Sequence, residues 1–286
     1  MTKRNNNNRK DITICTMLFK MPDQGHLAAL KGGNRKFEEF YLPSLKKLCE
    51  TFPSVALWCD ECTAKYLTDN GLGDKMNMRV MKLTDLPHWS ERESFRQIMC
   101  SMKRYVGYFL HRRSPDAWTD YFMWIDGGAF SPVYANSPLW DDWDGVIDAC
   151  PTRVRMSIAE TLGKSRPHYV PRFMYDLYKW LFGKPILPAT SDRLAKQSLK
   201  DIAMVNADYD VPGGCFMVPK DLCHDFYIAF ERTRKIMKKH GLVCVDQGMF
   251  QAMMKLDTDN MFELKYITGY QGLYAKIAKG KPDILL

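Results

Sequence analysis

The chain has 286 residues, of which 46% are hydrophobic and 26% charged, so it has the composition of an ordinary globular protein able to bury a large core. No run approaches the ~18 consecutive apolar residues of a membrane span. The formal charge is +8, and its concentration in one stretch suits either an anionic partner or a solvated basic surface that serves solubility.

Residues 1–10 carry a basic front and four successive asparagines, Asn5–Asn8. Their composition suits a disordered polar arm; the apolar stretch that follows is too short and too broken by threonine for a signal peptide. Nine cysteines, an odd number scattered along the chain, fit reduced thiols and a cytoplasmic setting. The one close pair, Cys59 and Cys62 in "CDEC", lacks the second pair that a zinc site of this kind needs.

"DITICTMLF" (11–19) is β-branched and apolar and predicts a buried first strand. In "RKFEEFYLPSLKKLCE" the apolar residues recur at helical spacing, and Pro43 must kink that helix or mark its start. "SVALWC" and "MNMRVMKL" predict two short strands. From Glu93 to His111 an apolar stripe predicts an amphipathic helix with Lys103 at its edge, where it either reaches a phosphate or snorkels to solvent. "YFMWID" (121–126) is a continuous apolar strand ending on a lone acid, Asp126, with Gly127 and Gly128 behind it.

This rhythm predicts an α/β fold with a mostly parallel Rossmann-type sheet and covering helices. In such sheets ligands gather outside the carboxyl ends of the strands. Asp126 stands at such an end. It can ligate a hard divalent cation such as Mn²⁺ or Mg²⁺, with the glycines giving a ligand close approach to the backbone. Or it can cap the turn that the glycines make. The acids of "DDWD" (141–144) suit a solvated loop.

Between Pro151 and Lys200 ten Lys/Arg stand against three acids, a net of +7. The region 151–210 loses the alternating rhythm and is expected to be a basic insertion, with a helix in "YDLYKWLF" and arginines such as Arg166 and Arg172 for an anionic ligand. "VPGGCFMVP" predicts a strand opened by Gly213 and Gly214. The segment after it predicts a long helix with Asp221 as N-cap and Gly241 as its stop. "VDQGMF" opens a short helix at Asp246, an acid that serves either as cap or as a base pointing into a cleft. "FELKYI" alternates like a strand, and the tail "KGKPDILL" gives no signal. Phosphate-loop, dinucleotide, HExxH and GxSxG signatures are absent.

Taken together, the N-terminal strand, "RKFEEFYL" from Arg35, the Lys103 helix, "YFMWIDGG", "GGCFMV" and "DQGMF" resemble the HtrL/YibB-like proteins, relatives of glycosyltransferases with the GT-A fold. The resemblance spans roughly 11–266 without the basic middle. It implies a single GT-A-like domain over 11–286, with a nucleotide-sugar half at about 11–130 and an acceptor half at about 131–286. It implies donor binding by Thr16, Arg35, Lys103, Asp126, Gly127 and Gly128, with Mn²⁺ or Mg²⁺ on Asp126. Acceptor binding falls to Arg166, Arg172, Gly213, Gly214 and Gln247, and Asp246 becomes the catalytic base if the enzyme inverts. Gly128 stands where the fold's Asp-x-Asp motif has its second acid, which leaves one protein carboxylate for the metal. The implied reaction is sugar transfer from a nucleotide-sugar to an anionic acceptor, either lipopolysaccharide-type glycan or hydroxymethylated DNA. A non-catalytic nucleic-acid-binding protein using the 151–200 segment is the alternative.

Overall fold

The computed structural model describes residues 10–20, 37–52, 54–85, 119–130, 146–147, 151–160, 198–200, 209–210, 214–242, 246–257, 260–267 and 284–285. The expected 93–111 helix, the helix in "YDLYKWLF" and the acids at 141–144 lie outside these residues.

Ten strands are described: β1 (Lys10–Leu18), β2 (Val55–Cys59), β3 (Asn77–Val80), β4 (Tyr121–Ile125), β5 (Val146–Ile147), β6 (Val154–Glu160), β7 (Tyr209–Asp210), β8 (Cys215–Pro219), β9 (Phe262–Ile267) and β10 (Ile284–Leu285). They form one sheet in the order β10-β9-β6-β8-β4-β1-β2-β3, with β5 paired to β1 and β7 to β6. The block β3-β2-β1-β4 is wholly parallel. β8 enters antiparallel between β4 and β6, and β9 lies parallel to β6. The sheet is therefore α/β and mixed, parallel through the half that follows the first strand.

Four α-helices are described: α1 (Leu42–Thr51), α2 (Glu61–Asp69), α3 (Cys223–Lys239) and α4 (Asp246–Lys255). Pro43 sits in the first turn of α1, where a π-helical segment, Phe37–Tyr41, runs directly into the α-helix, so it stands at a junction within a continuous helical run. The α2 helix was not legible as a periodic stripe, yet its cap was present in the sequence, because Asp60 Oδ1 accepts from Thr63 N at 2.8 Å. It makes the alternation strand–helix–strand–helix–strand. The expected cap of α3 is corrected: Leu222 occupies the N-cap without a side-chain bond, and Asp221 falls in a preceding 3-10 turn. Gly241 does close α3, at φ 66°.

Every strand residue of β2, β4 and β8 is buried, as expected for strands covered on both faces. Ile14, Leu18, Leu57, Met123 and Ile125 pack with α1 and α2 on one face. Cys15, Trp58, Phe122, Trp124 and Phe216 pack with α3 and α4 on the other. Phe216, Phe226, Phe230 and Phe250 form a chain of ring contacts with centroids 5.2–6.3 Å apart, binding β8 to α3 and α4.

The front of the expected insertion is part of this sheet. Val154–Glu160 is β6, flanked by β8 and β9. Arg155, counted among the surface cations of that segment, is buried at 1% exposure and ion-paired with Glu263 on β9, its register partner.

Candidate active site at the ends of β1 and β4

The chain leaves β1 for β2 on one side and reaches β4 on the other, so the strand order reverses between β1 and β4. In open α/β sheets the crevice outside the carboxyl ends at such a reversal is where ligands bind. Extending the β1–β4 register by two residues sets Asp126 beside Met17 at that edge.

Asp126 is half-buried. Its backbone makes the turn: its N–H donates to Gly214 O at 3.0 Å, and its carbonyl accepts from Ala129 N at 2.9 Å. Its side chain does something else. Trp124 Nε1 donates to Asp126 Oδ1 at 2.7 Å. Residues two apart in a strand share a face, and Trp124 is itself held, 3% exposed and stacked on Phe216 at 6.2 Å. The indole thus orients the carboxylate. Trp124 was missed as a site residue, although its spacing from Asp126 was the available signal.

The two glycines have a reason within the chain's own packing. A Cβ on Gly127 would stand 3.2 Å from the Met17 carbonyl oxygen, and one on Gly128 would stand 3.2 Å from Tyr41 Cε1. At Gly127 the close neighbour is backbone, so glycine lets the turn lie against β1; at Gly128 it is the ring edge of Tyr41, a side chain. This packing is a role for the two glycines beside the clearance for a ligand that the sequence suggests.

Thr16 lies on the α1/α2 face between Leu57 and, by register, Ile125. It is 0% exposed, and its Oγ1 has no hydrogen-bond partner among the described residues. It therefore sits beneath the Gly127 turn, its Oγ1 3.7 Å from where a Gly127 Cβ would be. Gly214 adjoins Asp126, as the antiparallel entry of β8 requires. Burial, and secondarily the Asp126 charge, push the neighbouring Cys215 thiol well up.

The same edge carries a second polar group. Lys20, just past β1, donates its backbone N–H to Asp60 Oδ2 and its ammonium to Glu38 Oε1, the latter at 2.7 Å. The Glu38 partner raises the Lys20 ammonium above its usual value. Asp60 ends β2 much as Asp126 ends β4, but both of its oxygens are engaged in holding α2 and the end of β1. Cys59 points into the core while Cys62 is exposed, so the two sulfurs of "CDEC" face different surroundings.

α4 opens at this edge as well. β8 runs away from it, ending where Lys220 N donates to Asp120 O at 2.9 Å, and α3 returns. The far end of α4 meets the start of β9 through Met261 N and Asp257 Oδ2 at 2.7 Å. The first residue of α4, Asp246, is thereby placed on the side of the sheet's carboxyl ends; the side chains of Asp246 and Gln247 are outside the description. Arg35, Lys103, Arg166, Arg172 and Gly213 also lie outside the described residues.

Among the described residues no three His, Cys, Asp or Glu side chains converge. Among the described residues Asp126 is the carboxylate that stands at the end of β4. A hard cation such as Mg²⁺ is commonly held by one or two carboxylates together with substrate phosphates and water, so a single oriented carboxylate fits that chemistry.

No protein-family model matches the chain, and no curated protein matches it. Among solved structures it is similar to the 4-diphosphocytidyl-2C-methyl-D-erythritolsynthase from Anaerococcus prevotii, with a TM-score of 0.37 and 10% identity, covering 94% of this chain and 97% of that one. A likeness of that degree carries no argument. The fold and site themselves define an α/β protein with an oriented carboxylate at a topological switch point. Among the described residues no helix is long and apolar enough to cross a membrane.

Proposed function

We propose that the chain is a glycosyltransferase that binds a nucleotide-sugar in the crevice between the ends of β1 and β4. The observation that carries this reading is Asp126, oriented by the Trp124 indole at the strand-order reversal. In this reading Asp126 holds Mn²⁺ or Mg²⁺ against the donor diphosphate, with Arg35 and Lys103 on the donor side. When bound, the cation neutralises charge on the leaving diphosphate. The acceptor hydroxyl forms the new glycosidic bond as the sugar–phosphate bond breaks and the nucleoside diphosphate departs. For an inverting course Asp246 takes the hydroxyl proton. Arg166, Arg172, Gly213, Gly214 and Gln247 form the acceptor side, and the acceptor is anionic.

Thermal unfolding with UDP or GDP and Mn²⁺ tests the donor site. A rise in melting temperature that Asp126→Ala abolishes is expected, and no shift with any nucleotide would overturn the reading. Transfer from a mixed nucleotide-sugar pool to hydroxymethylated DNA or to phosphorylated glycan, read by mass spectrometry, then assigns the acceptor.

A further inference from the structure

α3 buries Phe226, Phe230, Thr233 and Met237 against the sheet. At about 100° per residue, Ile228, Arg232, Lys235 and Lys239 fall within an arc of roughly 60° on the opposite side of the helix. All four are exposed, as is Lys238 beside them. From Arg232 to Lys239 there are five cations and no acid. Arg234 is drawn to Glu231 at 3.4 Å, whereas Arg232, Lys235, Lys238 and Lys239 form no ion pair among the described residues. Two acids lie on this side of the helix: Asp225 is in the first turn, at the far end, and Glu231, with its side chain 14% exposed, is paired with Arg234.

A basic last turn complements the helix dipole, which accounts for Lys238 and Lys239. That effect fades within one turn, so it leaves Arg232 and Lys235 unexplained. We infer that this outward face of α3 is a docking surface for the phosphate backbone of a nucleic acid. Phosphates require only cations, without any particular base contact. A lipid bilayer requires more: the helix has its apolar face committed to the core, and Ile228 alone faces outward, so nothing is available to insert. The surface lies apart from the 151–200 segment in sequence, and it stands whether or not the crevice transfers sugar.

The test is binding of a mixed-sequence DNA duplex across a salt series, for the wild type and for Arg232→Gln/Lys235→Gln/Lys238→Gln/Lys239→Gln. A control carries Lys47→Gln/Lys65→Gln/Lys75→Gln/Lys82→Gln, four exposed lysines elsewhere. Each phosphate that the protein no longer neutralises makes the log–log salt slope shallower by about 0.9, so the α3 variant, with four cations removed, should lose up to about 3.6 units of slope and tenfold or more in low-salt affinity. The control should keep both. Equal drops in the two variants overturn the inference, as does an α3 variant that binds like the wild type. Binding to phosphatidylserine vesicles without binding to the duplex overturns it too. All eight positions are exposed, and an unchanged melting temperature verifies that each variant folds.

Discussion

Removing the indole N–H that holds Asp126 is the most direct probe of the site. Trp124→Phe keeps an aromatic ring against Phe216 but deletes the donor of a 2.7 Å bond to a carboxylate. Hydrogen bonds to charged groups contribute about 1.5–3 kcal/mol. The smaller ring leaves part of a fully packed site empty, which adds about 1 kcal/mol of packing loss. A double-mutant cycle with Asp126→Ala separates the two, because the packing loss cancels. Urea unfolding of the four proteins should give a Trp124–Asp126 coupling of about 1.5–3 kcal/mol. A coupling below about 0.5 kcal/mol is what independent sites show, and it would refute the claim that the indole orients the carboxylate. If Asp126 holds the cation, Trp124→Phe should also shrink, without abolishing, the stabilisation that Mn²⁺ with nucleotide confers.

Glu263→Gln should destabilise the protein by about 1.5–3 kcal/mol in urea unfolding, since it removes the carboxylate charge opposite the buried Arg155 guanidinium; replacing both partners by Leu and Met should cost less. Thr16→Val should be neutral or stabilising by about 1 kcal/mol, because it removes a buried hydroxyl that has no partner among the described residues; a loss of stability would show that the hydroxyl is satisfied in solution. Gly127→Ala should cost about 1–3 kcal/mol, as its Cβ meets the Met17 backbone, and Gly128→Ala should cost less, as its Cβ meets the edge of a side-chain ring that can move. Burial pushes the Cys49, Cys59 and Cys223 thiols up to about 12, and Cys15 and Cys215 well above their usual value. A folded-state value that is raised keeps its full stabilisation below the unfolded thiol's pKa and loses it as pH climbs toward the folded value. Unfolding free energy should therefore be flat to about pH 8.5 and then fall, by up to about 1.4 kcal/mol per pH unit for each thiol. A flat profile to about pH 11 would contradict the burial of these thiols.

Local signals carried the elements themselves. β1, β2, β4, β8 and β9 stand out as apolar or alternating runs because a strand's burial is written in its own side chains, and Gly241 bounds its helix through a backbone constraint that acts on a single residue. The acid at the end of β4 was legible for the same reason. Neighbourhood was not. That β6 belongs in the sheet, with Arg155 answered by Glu263, depends on two strands 108 residues apart meeting in register, and a basic residue buried by such a partner looks like any surface cation in sequence. The strand order that places the end of β4 beside β1 likewise arises from long-range pairing. So does the packing of Gly127 on Met17 and of Gly128 on Tyr41. The sequence by itself determined that a strand ends on one carboxylate. The tertiary structure decided where that end lies and what confines the turn, because only folding brings β1, the Phe40–Tyr41 pair and Gly214 to the same edge.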